Sequence, residues 1–239
     1  DAQNASSGNH AQNASSGYYA KNASSGDYAK NASSGDYAKN ETTGEDSINA
    51  DIGFCSITKS KKGNWITLAE YTRNSNNEIV PLLVKTEQVD GKRIKEDVFY
   101  ALKFGKFCEV IEADGIRFAI TAKKGSVYHG GILDEFEESV LIHEDGFWSH
   151  GKTLKDARES LIYKIGDRDT SEYNKWKLDD IKSKKQFIKA YRVITGACEK
   201  GTKYFCNNNT LPEKCSVKKA IEFTQGQYGW DKFNNFFVK

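Results

Sequence analysis

Methionine is missing from the 239-residue sequence, and so is any long uninterrupted apolar segment. A helix that crosses a bilayer needs about 20 mostly apolar residues, so the sequence predicts no membrane-spanning helix and no membrane partner. The chain begins inside a repeat and without an initiator methionine. We therefore expect a fragment with a truncated N-terminus, on which a signal peptide could not be recognised.

An excess of charge of one sign is also lacking. The sequence has 35 Lys and Arg residues against 33 Asp and Glu residues, which gives a formal net charge of +2. Proteins that bind nucleic acid through its phosphates carry a basic surface. This balance of charges therefore predicts no nucleic-acid partner.

Closely spaced cysteines are absent as well. The five cysteines, none of which forms a CxxC pair, are Cys55, Cys108, Cys198, Cys206 and Cys215. Their odd number and wide spacing argue against a disulfide framework and a structural zinc site, and they favour reduced, mostly buried thiols. Reduced thiols are typical of intracellular proteins, so we expect a cytoplasmic location. Neither a metal nor a cofactor is predicted.

The most regular feature is a nine-residue repeat over residues 1–57. Its fixed positions are Asn4, Asn13, Asn22, Asn31, Asn40 and Asn49, and Gly8, Gly17, Gly26, Gly35, Gly44 and Gly53. A short strict period indicates copies that bury their inner faces only against one another, which is typical of a β-solenoid. Side chains alternate along a strand with period two, so a nine-residue copy needs a turn, and Gly tolerates turns.

Two copies would complete one coil of the solenoid. In that arrangement Tyr19 stacks on Tyr37, whereas Tyr28 lies on the opposite side. Ala23 and Ala32 are expected to point into a narrow interior. A disordered Ser/Gly/Asn-rich linker is the alternative for this segment, and the NAS and NET triplets are also acceptor sequences for N-glycosylation.

Two residue types in the repeat form candidate binding ladders. They are Tyr19, Tyr28 and Tyr37 in one phase, and Lys21, Lys30 and Lys39 in another. Exposed ladders would provide a surface for an unidentified protein partner, or for oligomerisation through the solenoid. The alternative is that the tyrosines only stabilise the stack.

Residues 58–146 carry the alternation and the turn signals of antiparallel strands. The β-rich runs are Trp65–Tyr71, Ile79–Val89, Val98–Leu102, Phe107–Glu112, Ile116–Thr121, Ser126–His129 and Val140–His143. The first of these strands are expected to cap the open end of the solenoid, since an uncovered last coil would expose a sheet edge.

The repeats are followed by GNWITLAEY and QVDGKRIKEDVFYALKFGKFCEV. This order resembles a group of uncharacterised phage, prophage and gut-bacterial proteins, in which short Gly-containing repeats lead into a WIxLAE strand and a VDGxxIK turn. The resemblance covers about residues 1–112. It implies a bacterial or phage origin and a solenoid, and it assigns no catalytic residue. This chain departs from the group in its nine-residue NASSG repeats, where the group has Ala/Thr/Gly-rich ones.

Residues 147–239 predict a helical module. Its first helix lies in Lys152–Gly166, with Thr153 as N-cap and Gly166 as the stop. The apolar face of that helix is expected to contain Leu154, Ala157, Leu161, Ile162 and Ile165. A second helix is expected from Ser183 through Phe205, and two shorter ones at Ser216–Thr224 and Trp230–Val238. The segment DGFWSHGKTLKDARESLIYKIGDRDTSEY resembles part of Firmicute proteins of unknown function.

Four residues around the first helix are the catalytic candidates. They are His150, Asp167, Arg168 and Asp169. His150 precedes the helix, where a side chain can face a ligand at the helix N-terminus, and a loop histidine bonded to backbone is the alternative. The Asp-Arg-Asp run follows the helix, where an ion-pair cluster beside the C-terminal carbonyls is the alternative to a catalytic carboxylate pair.

Structural roles are predicted for Cys198, His129 and His143. Cys198 is expected mid-helix near the apolar face, which favours a buried thiol over a nucleophile. His129 and His143 fall in strands, and their spacing matches no metal motif. The sequence has no GxSxG, no P-loop and no GxGxxG that opens a helix.

The sequence therefore predicts a mixed β-then-α chain. A solenoid over 1–57, an antiparallel segment over 58–146 and a helical module over 147–239 follow one another. Because catalytic signatures are lacking, the leading hypothesis is a non-enzymatic interaction or architectural protein of bacterial or phage origin. The alternatives are an enzyme with a site between the β segment and the helical module, and a phage adhesin or receptor-binding protein.

Overall fold

The structure is a computed structural model that describes residues 2–166 and 168–238. A β-solenoid of about four turns comes first and helices follow toward the C-terminus, which confirms the predicted β-then-α class. The chain divides into two compact units. Unit 1 comprises Asp1–Ile111, Arg117–Thr121 and Gly131–Glu137, and unit 2 comprises Glu112–Ile116, Ala122–Gly130 and Glu138–Lys239. The predicted limits at 57/58 and 146/147 stay a prediction.

Eight strands build the solenoid. They are β1 (Gln3–Ser6), β2 (Gln12–Ser15), β3 (Lys21–Ser24), β4 (Lys30–Ser33), β5 (Lys39–Thr42), β6 (Ile48–Asp51), β7 (Ile57–Lys59) and β8 (Trp65–Arg73). The odd-numbered strands form one parallel sheet and the even-numbered strands another. Gln3 lies opposite Lys21 and Lys21 lies opposite Lys39, so one coil takes two repeats, as predicted.

The interior of the solenoid is polar. Asn22 Nδ2 donates to Asn40 Oδ1 at 2.9 Å along the stack, and to Ser33 Oγ at 2.9 Å across the coil. Asn22 is only 1% exposed. A buried amide left without partners would cost about 1–3 kcal/mol, so the bonds between copies are what permit this interior. Asn4, Asn13 and Asn22 each donate to the Asn two repeats further on, which fixes the position of the amide in these copies.

The expectation that Ala23 and Ala32 point inward is wrong. Both are exposed, because Asn and Ser occupy the inward phase of each short strand. The alanines that do line the interior are Ala20, Ala29 and Ala38, each 0% exposed, at the position just before the strand. The interior is narrow, as predicted, but a different alanine of the repeat faces it.

The glycine of each repeat permits close stacking of the coils. A Cβ on Gly35 would lie 2.2 Å from the carbonyl oxygen of Gly17 in the coil before it. The glycine lies at the bend of each copy and a Cβ is disfavoured there, as predicted. The left-handed conformation falls two residues later, at Tyr28 and Tyr37, each with φ of 57°.

The rest of unit 1 covers the last coil. Strands β9 (Ile79–Gln88) and β10 (Tyr100–Lys103) pair antiparallel with β8 and β7, so both sheet edges of that coil are covered, as predicted. Strand β11 (Lys106–Ala113) pairs with β10, and β12 (Ile116–Lys124) follows. An apolar cluster of unit 1 includes Phe54, Ile57 and Ala119.

Three strands of unit 2 lie in the segment for which the sequence predicts a helical module. Strands β13 (Val127–Ile132), β14 (Ser139–Glu144) and β15 (Phe147–Gly151) form an antiparallel meander. Strand β15 falls inside the predicted helical module. Its short FWSHG sequence lacks a clear alternation of apolar and polar residues, so its partner β14 and the Asp-Gly turn before it decide its conformation. Strands β16 (Ile181–Ser183) and β17 (Lys214–Ser216) form a separate two-stranded ladder.

Five helices lie in the described part of unit 2. They are α1 (Leu154–Ile165), α2 (Lys184–Thr195), α3 (Glu199–Asn208), α4 (Val217–Phe223) and α5 (Trp230–Phe237). Thr153 and Asp156 form the predicted capping box of α1. The continuous helix expected over Ser183–Phe205 is wrong, because Gly196 adopts φ of 79° and ends α2.

The predicted apolar face of α1 needs a correction. Ala157 and Leu161 are buried, but Ile162 is 66% exposed and Ile165 is 46% exposed. The third buried position of the face is Lys164, which is 3% exposed. The buried stripe is therefore narrower than expected, and it ends in a charged residue whose partners are described below.

Candidate functional site

Asp114 comes from the turn between β11 and β12. It adopts φ of 54° beside Gly115, which is the backbone of a tight Asp-Gly hairpin turn. Its side chain is only 11% exposed. Burial raises the pKa of the Asp114 carboxyl, and the neighbouring Lys164 ammonium lowers it in part. The sequence predicts only a turn at this dipeptide.

His150 lies on β15, the edge strand of the unit 2 meander. It stands opposite Leu141 in the β14–β15 ladder and is 1% exposed. Its expected position in a loop before the helix is therefore wrong. Burial, together with the nearby Lys200 and Lys164 charges, lowers the pKa of His150 to about 3. The imidazole is thus neutral at physiological pH, so it can accept a proton.

Cys198 is the N-cap residue of α3. Its Sγ accepts a hydrogen bond from the Gly201 backbone N–H at 3.3 Å. The expected mid-helix position is wrong, because Gly196 ends the preceding helix. The expected burial is correct, since Cys198 is 2% exposed. A helix N-terminus carries partial positive charge, and this is where reactive thiols are commonly placed.

These three residues converge, and we call them the thiol site. One carboxylate oxygen of Asp114, one ring nitrogen of His150 and the Cys198 sulfur all lie within 4.8 Å of one another. Lys164 completes the surroundings, since its Nζ donates to Asp114 Oδ2 at 2.6 Å and to the Trp148 carbonyl at 2.6 Å. The buried lysine of α1 is thus explained by two strong partners.

The same residue types are ligands for zinc, so a metal is the competing interpretation. The Lys164 ammonium, 2.6 Å from Asp114, places a positive charge beside the oxygen that a cation would need. A divalent cation there would meet repulsion at the distance where its ligand bond must form. The arrangement therefore brings together a thiol, an imidazole and a carboxylate, the three groups used in nucleophilic acyl transfer.

A cavity of about 90 Å³ opens beside Cys198 and Asp114. Its wall is mostly apolar, with Phe187, Phe205, Leu211, Phe223 and Phe233 among the lining residues. Two further cysteines line the same wall, Cys206 and Cys215. Burial raises the pKa of both of these thiols.

The other predicted catalytic residues have separate environments. Asp167 lies outside the described residues. The Arg168 guanidinium donates to the carbonyl oxygens of Tyr163 at 2.6 Å and Val193 at 2.7 Å, so it joins the ends of two helices. Asp169 accepts from the Ser171 N–H at 2.9 Å, and this bond lowers the pKa of its exposed carboxyl. Neither residue belongs to the thiol site.

The other two histidines that lie in strands, His143 and His129, have separate environments. His143 stacks on Trp148, with ring centroids 4.1 Å apart and an angle of 17° between the planes. His129 lies opposite Val140 in the ladder of β13 and β14. Within the described residues, the one cluster with ligand-like spacing is the thiol site, which contains neither of them.

Because the coil has two sides, the Tyr ladder and the Lys ladder are each divided between them. Tyr19 packs on Tyr37 with ring centroids 5.1 Å apart, and Tyr28 packs on His10, as the eighteen-residue coil requires. Tyr19 and Tyr28 are exposed, whereas Tyr37 is only 9% exposed and packs on Phe54. Lys21 and Lys30 are exposed, and the ammonium of the half-buried Lys39 lies 4.1 Å from the ring centroid of Phe99. Whether any of these residues binds a partner stays a prediction.

In the part of the chain that the structure describes, no helix combines the length and the apolar character needed to cross a bilayer. Comparison of the chain with family models, with curated proteins and with solved structures finds no match.

Proposed function

We propose that the chain is a thiol-dependent acyl-transfer enzyme in which Cys198 is the nucleophile. The convergence of Cys198 with His150 and Asp114 is the observation that carries this proposal. Nucleophile, base and orienting carboxylate are the parts that thiol and serine acyl-transfer enzymes share, whatever their order along the chain. The order here is Asp114, His150, Cys198.

The reaction has two steps. In the first, His150 takes the proton of the Cys198 thiol while the sulfur attacks the carbonyl carbon of an ester, thioester or amide. The bond from that carbon to the leaving group breaks, and the proton passes from His150 to the leaving group. In the second step water attacks the S-acyl group, the carbon–sulfur bond breaks, and the thiol regains a proton. The products are the carboxylic acid and the free leaving group.

Three features of unit 2 support these steps. The N–H groups of the first turn of α3 present the positive end of the helix dipole to negative charge that develops at the carbonyl oxygen. The Asp114 carboxylate lies near the imidazolium that forms at His150, and so does the new thiolate. The new thiolate forms only in the reaction, and its negative charge favours the imidazolium against the burial that lowers the pKa of His150 in the resting site. The ammonium of Lys164 holds Asp114 in place.

The proposal predicts a covalent acyl group on one of three cysteines that line one cavity. The chain should react with p-nitrophenyl acetate at neutral pH and gain the mass of one acetyl group, located on Cys198 by peptide mapping. Cys198→Ser should abolish this fast reaction. Cys206→Ser and Cys215→Ser, matched controls from the same wall, should retain it because their thiols are not at the helix N-terminus beside His150. Acetylation that survives in Cys198→Ser would overturn the proposal.

A further inference from the structure

We infer that the thiol site acts on short aliphatic acyl groups, which the adjoining cavity binds. This inference rests on the proposed function, because it assigns the acyl part of the substrate that Cys198 attacks. It goes further in committing to a chemical class and to a size. The leaving group is not assigned.

The chemistry of the cavity wall selects the class. Phe187, Phe205, Leu211 and Phe223 present apolar surface next to the thiol. Polar groups such as Lys184 and Gln227 also reach the wall, but most of its surface is apolar, so a charged or strongly polar acyl group would lose more hydration here than it gains in partners. An aliphatic chain has no such hydration to lose, and the burial of its apolar surface is favourable.

The size of the cavity selects the chain length. Its volume is about 90 Å³. For comparison, an engineered apolar cavity of about 150 Å³ holds one benzene molecule. The space beside Cys198 therefore fits a chain of about four carbons, and it is too small for a long fatty acyl chain that remains fully inside.

The position of the thiol fits this use of the cavity. Cys198 belongs to the wall itself, so an acyl chain inside the cavity can bring its carbonyl carbon next to this residue. The Gly201 position supports the same geometry, since a Cβ there would lie 3.2 Å from the Cys198 sulfur. The missing side chain lets the Gly201 N–H approach the sulfur without a Cβ crowding it.

The test compares p-nitrophenyl acetate, butyrate and octanoate on the full chain. The rate of Cys198 acylation is followed by p-nitrophenol release and by mass. Two additional buried methylenes should make butyrate about tenfold faster than acetate. Octanoate should react more slowly than butyrate, because the cavity is already filled.

Two variants locate the selectivity. Leu211→Trp narrows the cavity from a loop position, so butyrate and acetate should then react at similar rates while Cys198 is still acetylated. Ile162→Trp adds the same side chain to an exposed position of α1 outside the cavity wall, and it should keep the preference for butyrate.

The outcomes separate the two claims. Equal rates for all three esters on Cys198, or a butyrate preference that persists in Leu211→Trp, would overturn the acyl-chain assignment and leave the thiol enzyme standing. Failure of all three esters to acylate Cys198 would overturn the proposed function and the assignment with it.

Discussion

Replacing Gly35 with Ala is expected to lower the free energy of unfolding by about 2–3 kcal/mol, because the new Cβ overpacks two stacked coils. That Cβ would lie 2.2 Å from the Gly17 carbonyl oxygen and 2.8 Å from the Ser16 carbonyl carbon, all of them backbone atoms with little freedom to move. Urea denaturation followed by far-UV circular dichroism measures the change.

The chain supplies its own control for this substitution. Gly8 occupies the same position of the repeat in the first coil, where an added Cβ meets nothing within 4 Å. Gly8→Ala should therefore change the free energy of unfolding by less than about 0.5 kcal/mol. If both variants behave alike, close coil stacking is not the reason for the repeated glycine.

Acid should destabilise the fold through His150. Its pKa is about 3 in the folded chain, against about 6.5 in an unfolded chain, so between these values the unfolded state binds more protons. Stability is therefore unaffected by His150 above about pH 6.5 and falls as the pH drops toward 3. Between pH 6 and pH 4 this residue alone should account for a loss on the order of 2–3 kcal/mol.

A variant separates His150 from the other titrating groups. The groups around the imidazole are Asp114, Lys164, Cys198 and Lys200. In His150→Gln these groups remain, but the unfolded chain no longer binds a proton at position 150. The variant should show a shallower loss of stability between pH 6 and pH 4 in urea titrations. Parallel pH profiles for the two chains would show that His150 is not kept neutral by the fold.

The solenoid could be predicted because its period is visible in the sequence. The eighteen-residue coil and the pairing of Tyr19 with Tyr37 both follow from a strict nine-residue repeat. The residues of the repeat that face the interior could not be predicted from the period. Ala is apolar and Asn is polar, so Ala32 is the natural choice for an interior. Only the bonds between stacked Asn22 and Asn40 reveal why the amide is inside.

The thiol site could not be predicted because its members lie on elements that the sequence placed elsewhere. Cys198 reads as mid-helix until Gly196 is recognised as a left-handed cap, and Asp114 reads as an ordinary turn residue. Lys164 occupies a helix face that apolar periodicity assigns to Ile165. One signal was available: Gly196 followed by Cys198 and Glu199 is compatible with a helix end and a new helix start.

The expected interaction or architectural role stays a prediction. The solenoid offers exposed apolar residues on the outward face of its second sheet, where Ile48 stands beside Trp65 in the register. Ile48 is 41% exposed and Trp65 is 46% exposed. Such a surface is compatible with a partner and with the thiol chemistry of unit 2, so the two functions do not exclude each other.

The central claim is that His150 activates Cys198, and the rate of Cys198 acylation by p-nitrophenyl butyrate tests it most directly. The measurement compares the unaltered chain with His150→Gln at pH 7, after circular dichroism has shown that both are folded. Loss of a general base should slow the reaction on the order of 100-fold, with the acyl group still found on Cys198. Equal rates in the two chains would contradict the account.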